Sequence, residues 1–73
     1  MAKLPPCSGK ETIKAFERAG WTVDRQKGSH VTLVKPGFAS ILTVPLHDEL
    51  GRGLLTSLIT KAQITEEEFL DLL

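Results

Sequence analysis

The spacing of apolar residues divides the chain into six segments. Between residues 9 and 19, Ile13, Phe16 and Ala19, joined by Ala15, recur at helical intervals and give one narrow apolar stripe. Ser8 stands ahead of that stripe and Glu11 three positions on, a capping box in which each side chain satisfies the other residue's orphan backbone N–H. Pro5 and Pro6 keep the lead-in extended, and Gly20 is a natural left-handed C-cap. The pattern therefore predicts a helix over residues 9–19. From Trp21 to Arg25 the period falls to two: Trp21, Val23 and Arg25 share one face, Thr22 and Asp24 the other. Gln26, Lys27 and Gly28 read as a turn. His30 to Lys35 is a β-branched run typical of a strand, and Pro36–Gly37 closes it. A third strand runs from Ser40 to Val44 and stops at Pro45. Turns this short between strands of this length imply an antiparallel meander.

Leu46 to Arg52 is a polar loop that contains His47, and Gly53 opens a second helix. Leu54, Leu55, Leu58, Ile59 and Ala62 give that helix a broad apolar face, which lays it on the sheet. Thr65 and Glu68 form a second capping box ahead of a short C-terminal helix carrying Phe69, Leu72 and Leu73. The order α-β-β-β-α-α describes an α+β sandwich, a three-stranded antiparallel sheet with helices on one face. One sheet face is then left bare. The helices need the more apolar partners, so Val31 and Leu33 should point to the core and His30 away from it.

Composition narrows the functional classes. At 73 residues, 41% hydrophobic and 25% charged, the chain reads as a single globular domain over residues 1–73. No apolar run approaches the roughly 20 residues that span a bilayer, and the first ten residues lack the apolar stretch of a signal peptide, so a cytosolic location is expected. A lone cysteine, Cys7, allows no internal disulfide and fits a reducing compartment. It reads as a small hydrophobe under the first helix rather than a nucleophile. Net charge is zero, yet unevenly spread. Lys3, Lys10, Lys14, Arg18, Arg25, Lys27 and Lys35 face only Glu11, Glu17 and Asp24 in the first half. Arg52 and Lys61 face Asp48, Glu49, Glu66, Glu67, Glu68 and Asp71 in the second. Such asymmetry can present one face to a polyanion, or can neutralise itself across the folded surface.

Arg25-Gln26-Lys27-Gly28-Ser29-His30 concentrates the polar chemistry. Backbone N–H groups around Gly28 could approach a phosphate, and Arg25 and Lys27 could neutralise it. An imidazole near neutral pH can remove or supply a proton. RNA supplies its own nucleophile, the 2′-OH beside the scissile phosphate, so one histidine with neighbouring cations can be sufficient. The same six residues also read as an ordinary hairpin turn followed by an exposed histidine. His47 is a second imidazole or a solvated loop residue near Asp48. Cys7, His30 and His47 lack the close ligand spacing typical of zinc, so no metal site and no cofactor are expected. Trp21 could stack a base, but its place beside a helix C-cap favours packing.

Three stretches, SGKETIKAFERAGW, RQKGSHVTL and TVPLHDELGRGLLTSLITKAQITEEEFL, together resemble the HicA toxin family, small mRNA interferases of type II toxin–antitoxin systems. The resemblance spans about residues 7–70. It rests most on Gly28-Ser29-His30, followed by the β run, Val44-Pro45 with His47, the helix start at Gly53 and the terminal Glu-Glu-Phe-Leu. It implies a double-stranded-RNA-binding-like fold, ribonuclease activity against mRNA with His30 as the catalytic residue, and neutralisation by a HicB-type antitoxin protein. With the cluster above, the expected nucleic-acid contacts are Arg25, Lys27, Gly28 and Ser29, with Lys35 from the far end of the second strand. Where the family commonly has Gly-Thr-Leu, this chain has Gly53-Leu54-Leu55, and its pI of about 6.7 is lower than is usual for the family. A non-catalytic RNA-binding module, or a module that only holds an antitoxin-like partner, would use the same fold.

Overall fold

A computed structural model describes residues 4–73; Lys3, one of the cations counted in the N-terminal half, lies outside them. The elements are α1 (Gly9–Arg18), β1 (Thr22–Lys27), β2 (His30–Val34), β3 (Leu42–Pro45), α2 (Arg52–Lys61) and α3 (Glu66–Leu72). The strands form one antiparallel sheet in the order β1-β2-β3, so β2 is the middle strand. This is the α+β sandwich expected from the residue pattern.

Both capping boxes form. Ser8 Oγ accepts the Glu11 N–H at 3.1 Å and the Glu11 carboxylate accepts the Ser8 N–H at 3.0 Å; Thr65 and Glu68 repeat the arrangement at 3.0 and 2.9 Å. The Ser8 bonds, the backbone N–H first, hold the Glu11 carboxyl below the ordinary carboxylate range. The apolar stripe of α1 packs on β1 and β3, α2 packs on β3, and α3 packs on both helices. Phe16 and Phe69 are fully buried at the α1–α3 contact, with ring centroids 5.4 Å apart and planes tilted by 49°. Val31, Leu33, Leu42 and Val44 meet the helices from the sheet, all at most 4% exposed.

Several boundaries differ from the sequence reading. β1 continues through Gln26 and Lys27, so the turn shrinks to Gly28–Ser29. A two-residue connection matches the strand twist when its first residue takes a positive φ, and Gly28 has φ +59°. β3 starts at Leu42 rather than Ser40 and includes Pro45, paired with His30. On an edge strand a missing N–H is tolerated. α2 begins at Arg52, one residue before Gly53.

β1 departs most from its expected pattern. Its pairing with β2 is regular from Thr22 to Val23, breaks, and resumes at Arg25, leaving Asp24 bulged. Val23 lies opposite Leu33 and Arg25 opposite Thr32. Directly opposed residues share a sheet face, so Val23 and Arg25 lie on opposite faces rather than together. Val23 is on the helix side but at the sheet edge, 43% exposed.

Gly9 fixes how the chain leaves the sheet. A Cβ there would stand 2.1 Å from the Pro45 carbonyl oxygen. The bare backbone lets the first turn of α1 touch the end of β3. The Gly9 N–H donates to the His47 carbonyl at 2.9 Å, and the Leu50 N–H donates to the Cys7 carbonyl at 2.8 Å. The loop after β3 thereby satisfies one of the orphan donors at the start of α1.

Candidate nucleic-acid interface

The helices cover one face of the sheet and leave the other open. Strand alternation puts His30, Thr32 and Val34 of β2 on the open face, opposite Val31 and Leu33. His30 is exposed, as expected from its parity. Its neighbours follow from the register: Lys27 pairs with His30 from β1 and Arg25 with Thr32, while Pro45 and Thr43 occupy the corresponding places on β3. The β1 bulge is what brings Arg25 here; in an unbroken ladder it would lie opposite Val31, on the helix side.

These side chains surround one open depression of about 530 Å³, lined by Arg25, Lys27, Gly28, His30 and Thr32. Four of the six residues named from the sequence meet there. Ser29 is the second turn residue; its carbonyl accepts the Leu46 N–H at 2.6 Å and joins the turn to the chain leaving β3. Gln26 braces the same turn, donating from Nε2 to the Gly28 carbonyl at 2.9 Å. Arg25 touches Asp24 at 3.5 Å, but its side chain is 73% exposed, and such surface pairs contribute little.

Lys35 is not brought to this site. It follows the other end of β2, roughly 16 Å from His30 at about 3.3 Å per residue. Its Nζ donates to the Ala19 carbonyl at 2.9 Å and lies 5.2 Å from the centre of the Phe38 ring. It serves the C-terminal end of α1, where a cation is favoured.

His47 is exposed and is not among the residues of the depression; its carbonyl, rather than its ring, makes the contact described above. Trp21 is 2% exposed and packs on Phe38 with centroids 5.1 Å apart, which leaves no ring face for a base. Cys7 is buried, its Sγ 3.2 Å from the Pro5 carbonyl, and burial, with Glu11 adding a smaller push, raises its pKa. It is a packed thiol, not an activated one. Among the described residues no group of three or more His, Cys, Asp and Glu is placed to hold a metal ion, and no helix is long and apolar enough to cross a membrane. Thr32 was missed in the sequence, although its parity with His30 already placed it on the same face.

The sequence profile of the HicA toxins of bacterial toxin–antitoxin systems matches residues 9–64, most of the folded chain. This chain belongs to the HicA toxin family. A chain in a solved toxin–antitoxin complex from Streptococcus pneumoniae is similar to this HicA-family protein: 32% identical, TM-score 0.70, covering 81% of this chain and 100% of that one. No curated protein sequence matches it. The role of the chain is that of a toxin, and the depression around His30 lies within the matched residues.

Proposed function

We propose that this HicA-family toxin is an endoribonuclease acting on mRNA, with His30 as its general acid–base group. The observation that carries the proposal is the convergence of one exposed imidazole, two cations and a glycine turn in a single depression on the bare sheet face. In this reading His30 takes the proton from a ribose 2′-OH. The 2′-oxygen attacks the adjacent phosphorus, the bond from phosphorus to the 5′-oxygen breaks, and that oxygen takes a proton from water. Arg25 and Lys27 offset the charge gathering on the phosphoryl oxygens, and Gly28 lets the backbone of the turn approach them closely. Ser29 shapes the turn and offers a hydroxyl. The reaction as written needs no metal ion.

The partner proposed for this face is a HicB-type antitoxin. The support is that the similar Streptococcus pneumoniae chain belongs to a toxin–antitoxin complex. A protein seated on the open face would cover the depression and stop access of RNA.

Purified wild-type and His30→Ala chains incubated with mRNA in excess EDTA provide the test. Fragments ending in a 2′,3′-cyclic phosphate are expected from wild type alone, because an exposed ring contributes little to folding. Equal fragmentation by both chains, or intact RNA with wild type, would overturn the proposal. Intact RNA that is nonetheless bound in a salt-sensitive way would identify the non-catalytic RNA-binding module instead.

A further inference from the structure

The strand that carries His30 also carries a second polar position on the same face. Thr32 lies two residues along β2, roughly 6.6 Å from His30, about one step of an extended nucleic-acid strand. It lines the same depression and stands directly opposite Arg25. Its side chain is half-buried in the middle strand, and among the described residues nothing hydrogen-bonds its hydroxyl. A hydroxyl can both donate and accept, and so suits either a phosphate oxygen or a ribose hydroxyl. The next strand adds Thr43 beside it.

The aromatic residues point the same way. The chain has one Trp, three Phe and no Tyr. Trp21, Phe16 and Phe69 are buried, and Phe38 packs against the core beside Trp21. The open face therefore has none of the Phe, Tyr or Trp platforms on which single-stranded RNA binders stack bases. What it offers are a guanidinium, an ammonium and hydroxyls, which are ligands for a sugar–phosphate backbone.

We propose that Thr32 and Arg25 form a subsite for the sugar–phosphate of the nucleotide next to the reacting one, on the side away from the bond that is cleaved, gripping it without regard to its base. Thr32 is a positioning residue: it places the strand along β2 so that the reacting ribose falls at His30. The subsite rests on the nuclease reading above and adds a rule about substrate length and sequence to it.

The test compares wild type with Thr32→Val, which keeps the β-branched shape and removes the hydroxyl, and Thr32→Ser, which keeps the hydroxyl. Cleavage is measured on a dinucleotide and on oligo(A) and oligo(U) of eight or more nucleotides. On the longer substrates Thr32→Val is expected to raise KM by about tenfold, the range for a hydrogen bond to a charged group, with kcat little changed. Thr32→Ser should restore most of it. The rise should be equal for oligo(A) and oligo(U) and absent for the dinucleotide, whose two nucleosides are the reacting one and its leaving group and so leave the subsite empty. A merely structural role would impair all substrates alike. Wild-type KM values unchanged by Thr32→Val, a loss that includes the dinucleotide, or a loss confined to one base would overturn the subsite while leaving the nuclease reading intact. No cleavage of any substrate by wild type would overturn the nuclease reading, and the subsite with it.

Discussion

The five residues of β2 live in two environments. Val31 and Leu33 sit under the helices, at most 4% exposed, and meet Val44 and Leu42 across the β3 ladder. His30 and Thr32, interleaved with them, look out over a depression rimmed by cations. The first pair has its freedom removed by packing on all sides. The second pair is held in place only because its neighbours in the chain are packed. A domain this small buries only about 60% of the surface its unfolded chain exposes, too little to enclose a pocket. The candidate groups stand instead on the back of the core, where the strand fixes their spacing and orientation without burying them. Placing functional groups on rigid elements in this way gives precision that a loop would not.

Breaking the covered side should have the largest effect. Leu33→Ala leaves a cavity beneath the helices and is expected to lose about 2–5 kcal/mol, a large part of the stability of so small a domain; the urea midpoint measures it. The two lysines on either side of β2 in the sequence sharpen the contrast next. Lys35→Met removes the bond to the Ala19 carbonyl and the contact with Phe38, and should cost about 1 kcal/mol in the same unfolding experiment while leaving RNA binding unchanged. Lys27→Ala should do the reverse: stability within about 0.5 kcal/mol of wild type, but weaker RNA binding with a salt dependence reduced by about one phosphate contact. The smallest effect lies at the start of α1. Glu11 has a lowered pKa in the fold, so its contribution is present above the unfolded value of about 4.3 and is lost as the pH falls through the folded one. Unfolding midpoints followed from pH 6 to pH 3 should fall slightly more for wild type than for Glu11→Gln.

Much of this arrangement was legible in the residues. Both capping boxes, the antiparallel meander and the outward aim of His30 follow from residue spacing and turn residues, because helical and strand periods act locally and each is reinforced by a cap or a turn. Lys35 was not legible as a helix-capping group, since the bond it makes joins residues 16 positions apart. Its charge and its place after a strand looked the same as those of Lys27. A strict period of two puts Arg25 with Val23, and a bulge breaks that period without any glycine to announce it. Thr32 is inconspicuous for the opposite reason: its parity puts it beside His30, but nothing about a threonine in a strand is unusual until its neighbours across the ladder are known. The end of β3 was likewise hidden, because Pro45 joins the ladder only from an edge position.

The bulged Asp24 also makes this strand unequal in its tolerance of shortening. A chain that lacked residue 24 would regain an uninterrupted ladder, with Val23 still opposite Leu33 and Arg25 still opposite Thr32. Loss of Gln26 instead, absorbed by the same bulge, would keep Lys27 opposite His30 but set Asp24 opposite Thr32 and turn Arg25 toward the helices. A single missing codon is therefore harmless to the geometry of the open face at one place, and two places further on exchanges its guanidinium for a carboxylate.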